Sequence, residues 1–146
     1  MLGGCSDKRN DFLGGLDKLK WHSDVSDVKT YMENQVKAEY SNYKINRNEK
    51  TLSMFFKGAE FAGVKVESWE LKTKEGEFFE YIIRFPSENK NYKRILKTLE
   101  VKLGKPNITE EAKAVWKKTS PEHADEKIVL RKFSDAVVLT AEAVED

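Results

Sequence analysis

Two histidines, one cysteine and 25 carboxylates are the side chains here whose chemistry is worth placing first. His22 stands in Trp21-His22-Ser23-Asp24, and His123 in Glu122-His123-Ala124-Asp125-Glu126. A metal centre needs three or four donors converging on one point, and structural sites announce themselves as close-set Cys or His pairs. Neither histidine has such a companion, so both read as polar loop residues, and no metal or cofactor is expected. A nucleophilic serine on a strand-to-helix elbow would carry Gly-x-Ser-x-Gly, which is absent. Gly14-Gly15 lacks the lysine pattern and preceding strand of a phosphate-cradling loop. The carboxylates do not single out a hydrolytic pair by spacing alone. Catalysis therefore has no visible apparatus, and the chain is not expected to be an enzyme.

The remaining reactive group is the sole cysteine, Cys5, which rules out an intramolecular disulfide and any Cys-based metal cage. Charge narrows the partners. With 26 basic and 25 acidic residues the formal net charge is +1, too small for a whole-molecule field that would gather nucleic acid. Lys90, Lys93, Arg94, Lys97, Lys102 and Lys105 cluster around one segment. Glu88 and Glu100 lie among them, as on a solvated helix face. Eight Phe, five Tyr and three Trp supply core material. Phe55, Trp69 and Phe78 fall on the less uniformly apolar side of their strands. They are the candidate binding surface, with burial in the core as the competing reading.

Periodicity sets the elements that would hold these residues. Phe12, Leu13, Leu16, Leu19 and Trp21 form an apolar lead-in. Ser23 is the expected N-cap of a helix over 24–37, with Val25, Val28, Met32 and Val36 at helical spacing. Alternation then predicts a hairpin, Tyr43 and Ile45 followed by Leu52, Met54 and Phe56 across a turn at 46–49. Val64 and Val66 alternate out of phase with Trp69 and Leu71, which predicts a bulge near Glu67 or Ser68. A turn at Lys74-Glu75-Gly76 leads into a central strand, 78–85, with Phe79, Tyr81, Ile83 and Phe85 on one face. Ser87 or Asn91 opens a second helix whose stripe is Tyr92, Ile95, Leu96, Leu99 and Leu103. Gly104 and Pro106 end it. Residues 109–118 are readable as helix or strand, 119–126 as a polar loop, and 128–133 with 137–144 as a closing hairpin. The expected fold is α+β, a mostly antiparallel sheet of about five or six strands with two helices packed on one side.

The N-terminus carries the one local motif. Leu2-Gly3-Gly4-Cys5-Ser6 resembles the lipobox of bacterial lipoproteins: a leucine, two small residues at the scissile bond, and the cysteine that receives the lipid. Only Met1 precedes it, so the basic and apolar stretches of a complete leader would lie upstream. The resemblance implies lipidation of Cys5 and, from Ser6, anchoring to the outer membrane facing the periplasm. Residues 1–11 would then be processing site and polar tether, and 12–146 a single globular domain. Leu19-Lys20-Trp21-His22-Ser23 and Leu103-Gly104-Lys105-Pro106 add a loose resemblance to small bacterial envelope proteins, which brings no catalytic residue with it. The expected function is protein binding by a lipid-anchored envelope domain, in an accessory, inhibitory or immunity-type role. If Met1 is the true start, the alternative is a cytoplasmic protein of a mobile element that binds a protein or itself. A carrier of small apolar ligands is the third reading.

Overall fold

The lead-in and first helix are set by hydrogen bonds that the sequence spacing only partly reveals. The computed structural model describes residues 19–120 and 123–144, with the side chains of 118–120 and 123–125 left out. The lipobox, the tether and most of the lead-in lie outside the described residues. Ser23 is not the cap, because its Oγ donates to Lys20 O at 2.7 Å and closes a turn. Asp24 caps instead, accepting from the Asp27 N–H at 2.9 Å and from the Ser26 hydroxyl at 3.1 Å. Those two bonds hold its carboxyl below the ordinary value. Helix α1 runs Val25–Tyr31, widens into a π-turn over Met32–Val36, and stops at Lys37 in the left-handed region.

Among the described residues ten strands follow: β1 (Glu39–Asn46), β2 (Thr51–Lys57), β3 (Glu60–Phe61), β4 (Val64–Lys65), β5 (Ser68–Lys74), β6 (Glu77–Phe85), and after helix α2 (Asn89–Leu103), β7 (Ile108–Glu110), β8 (Lys113–Ser120), β9 (His123–Lys132) and β10 (Val137–Val144). Eight form one antiparallel sheet in the order β1-β2-β5-β6-β10-β9-β8-β7, while β3 and β4 make a separate ribbon. The sheet is thus wider than the five or six strands expected. The extra strands come from segments read as ambiguous or as a polar loop. Exposed β7 has three residues. β8 and β9 extend into the charged stretch because backbone ladders do not need apolar side chains.

The chain builds the same order twice, a helix followed by a four-stranded meander, with the ribbon inserted in the first half. The halves join where their last strands pair, Val137–Glu142 of β10 against Phe85–Glu80 of β6. The α2 helix contacts β9 and β4, and α1 contacts β6. The sheet face beneath the helices carries the core: Met54, Phe56, Trp69, Leu71, Tyr81, Ile83, Phe85, Trp116, Ile128, Leu130, Val137 and Leu139. Two indoles anchor element ends from that face. Trp69 Nε1 donates to Gly58 O and Trp116 Nε1 to Gly104 O, each at 2.9 Å, and both glycines have positive φ.

Two departures in strand phase matter for the faces. No bulge lies at Glu67 or Ser68. Val64 belongs to the ribbon, and the chain enters the main sheet only at Ser68. The bulge is in β6, where Thr73 faces Phe78 but Lys72 faces Glu80, leaving Phe79 as the extra residue. Phe78 is thereby turned onto the core face with Tyr81, and Phe79 leaves it.

Candidate functional site

Two points of strand phase, the start of β5 at Ser68 and the bulge in β6, decide the fate of the aromatic surface. Trp69 is 0% and Phe78 2% exposed, so both are core, against their reading as a binding surface. Trp21 stacks on Phe78 at 5.0 Å and on Tyr81 at 6.2 Å, closing the core from the lead-in side. Phe55 alone stands on the opposite face, half-buried. Nothing in the alternation of Phe78-Phe79-Glu80-Tyr81 announces the bulge that turns Phe78 inward, while Trp69 faces the core because β5 begins its own phase at Ser68, with Phe56 and Ile83 opposite.

Of the candidate chemical residues, His22 is held by Glu77, with Nδ1 2.8 Å from Oε1. The pair lies at the rim of a broad depression of about 590 Å³ that also includes Lys74, Phe79 and Glu142. A carboxylate orienting an imidazole is half of a general-base arrangement. His123 opens β9, and Cys5 lies outside the described residues. Among the described residues no three of His, Cys, Asp and Glu converge. An apolar cleft of about 400 Å³ lies under the helix side of β1 and β2, lined by Val25, Ile45, Leu52 and Thr73. No described helix is long and apolar enough to cross a membrane.

The face away from the helices is the site that sequence reasoning missed. Register places one row across all eight strands: Asn42, Phe55, Glu70, Ile82, Thr140, Val129, Val115 and Ile108. With neighbouring strands ~4.8 Å apart, the row spans roughly 34 Å. Charged rows run on either side. One contains Lys72, Glu80, Glu142, Lys127 and Lys117; the other contains Arg84, Val138, Arg131, Lys113 and Glu110. Among the described residues no helix or strand covers this face. Ile82, Val129 and Val138 remain half-buried and Val115 is 2% exposed beneath the charged neighbours.

The two ends of the face differ. Toward β5 and β6 the charges compensate, with Lys72 Nζ 3.7 Å from Glu80 and 3.9 Å from Glu70. Burial pushes the Glu80 carboxyl above its ordinary value. Lys72 opposes the rise, and Glu142 and Glu70 add to it. Toward β7–β10 a cleft of about 350 Å³ opens over Val115, Val129 and Val138, bounded by Lys113, Lys117, Lys127 and Arg131. The signal that would have found it is the parity of Lys113-x-Val115-x-Lys117 against Lys127-x-Val129-x-Arg131, legible only once both segments are known to be paired strands. No protein-family model matches the chain, and no curated protein or solved structure shows significant similarity to it.

Proposed function

We propose that this chain is a binding domain without catalytic role, and that it holds another protein on the uncovered face of its sheet. The observation that carries this reading is the apolar row Phe55, Ile82, Val129, Val115 and Ile108, lying among charged rows on a face that no described element packs against. An antiparallel sheet with one face on its helices and the other open to solvent usually alternates apolar with polar residues. Here the outer face keeps an aliphatic floor, the composition that specific interfaces share. The lipobox resemblance supports an address, with Cys5 carrying a lipid and the domain acting at the bacterial envelope. Cytoplasmic action is the outcome if Cys5 is unmodified.

Site-specific photo-crosslinking tests the reading. A photoreactive residue replaces Val129 on the open face or Val101 on α2, which is 76% exposed on the helix side. A discrete protein adduct at Val129 and none at Val101 is expected. Equal or absent adducts at the two positions would overturn it. Intact mass of the mature N-terminus decides the address separately.

A further inference from the structure

The β8–β9 pair places like charges directly opposite each other twice on the same face. Lys117 faces Lys127 and Lys113 faces Arg131, with Val115 facing Val129 between them. Like-charged cross-strand pairs are destabilising, by the same few tenths of a kcal/mol to ~1 kcal/mol that opposite charges contribute. Glu142 and Glu110 stand across from Lys127 and Lys113 on the flanking strands. Yet none of the four cations forms an ion pair with a carboxylate among the described residues. Arg131 instead leans over the Phe133 ring at 6.0 Å. The opposite end of the same face pairs its charges closely. Among the described residues the block is therefore a local excess, four cations facing two carboxylates around an aliphatic floor.

We propose that this block receives an acidic amphipathic helix of a partner protein, a conclusion that rests on the open-face reading above. Charge complementarity asks for carboxylates at both rows and an aliphatic side chain over Val115 and Val129. Alternate residues of a strand are ~6.6 Å apart, so the two cation rows lie ~13 Å apart with the valines midway. A helix rises ~1.5 Å per residue. Acid, aliphatic and acid at positions 1, 5 and 9 therefore fall ~6 and ~12 Å along one helix face, matching the rows. An extended segment has a suitable side-chain repeat as well. Lying on a sheet face rather than at its edge, however, it would leave its own backbone donors and acceptors unpaired. A helix satisfies them internally, and its ~10–12 Å diameter fits the three-strand floor of β8, β9 and β10.

The test uses a labelled helical peptide with Glu at positions 1 and 9 and Leu at 5, against a scrambled peptide of equal composition, read by fluorescence anisotropy with the full chain. The patterned peptide is expected to bind more tightly and to weaken with added salt. Lys117→Glu and Lys127→Glu are each expected to lose about tenfold, equivalent to 1.4 kcal/mol, while Lys97→Glu on α2 loses nothing. The free Lys117→Glu protein is expected to melt higher than the parent, because a like-charged pair becomes an opposite one. A variant that binds less yet is more stable separates recognition from damage to the fold. Equal binding of the scrambled peptide, a lower melting temperature for Lys117→Glu, or preference for anionic vesicles or for a second copy of the chain would each overturn the inference. Retained Val129 crosslinks in Lys117→Glu would overturn it too, while leaving the open-face reading intact.

Discussion

At the scale of single residues, one buried and one half-buried polar group carry costs that substitution should expose. Tyr81 is fully buried, and its hydroxyl has no hydrogen-bond partner among the described residues. Burial first, and the charge of Glu126 next, push its pKa well above the ordinary value. A buried hydroxyl without a partner forfeits its hydration and gains nothing in exchange, a cost of ~1–3 kcal/mol. Tyr81→Phe keeps the stack with Trp21 and should leave stability unchanged or raise it by up to ~1 kcal/mol in urea denaturation. A clear loss would mean the hydroxyl is satisfied. Glu80 gives a pH-dependent counterpart. Its folded pKa is raised, so the native state holds this proton to higher pH than the unfolded chain does. The stability linked to that proton is complete below the unfolded value of 4.5 and is lost as pH rises through the folded value. Glu80→Gln cannot ionise. Its stability relative to the parent should therefore climb as pH rises from 4.5, and a flat difference would contradict the assigned shift.

At the scale of elements, what was legible follows from which signals are local. The α2 stripe, Tyr92, Ile95, Leu99 and Leu103, is buried as its spacing dictates, because a helix takes its period from its own backbone. The hairpins at Asn46–Lys50 and Glu75-Gly76 carry their turns in the chain. Glu75 and Gly76 both adopt positive φ, which suits a two-residue hairpin turn. The strands in the last third have no such local mark. Lys113–Ser120 mixes lysine with valine and tryptophan, and it is a strand because β9 lies beside it, with the partners of Lys113 to Lys117 ten to 18 residues further on. The Phe79 bulge is equally non-local, since it exists only as a mismatch with Lys72 and Thr73 of β5. The candidate site was illegible for the same reason: its cations lie on two strands and meet only through register. Short β7 and the wholly exposed outer half of β1 show how little apolar periodicity an edge strand needs.

At the scale of the molecule, the repeated order of helix and meander raises the question whether the halves are independent folding units. Their packing argues against it. The β6–β10 seam runs over Val137–Glu142, and its core-side residues Phe85, Ile83, Tyr81, Val137, Leu139 and Ala141 are all 0% exposed. Separating the halves would open that row to water at ~25 cal/mol per Å² of apolar surface and leave two new sheet edges unpaired. No half can lose its partner cheaply, so unfolding should be a single transition. The tryptophans divide the reporters, Trp21 and Trp69 in the first half and Trp116 in the second. In a Trp116→Phe protein, fluorescence follows the first half alone. In a protein carrying Trp21→Phe and Trp69→Phe, it follows the second. Each variant will have its own urea midpoint, because each loses buried ring volume and the Trp69 or Trp116 indole hydrogen bond. Within each variant, however, the fluorescence midpoint should coincide with that of far-ultraviolet circular dichroism, which sees both halves together. A fluorescence transition that precedes the dichroism transition in one variant and follows it in the other would show that the seam yields first. The open face, which spans that seam from Phe55 to Ile108, would then be a surface that exists only while both halves are folded.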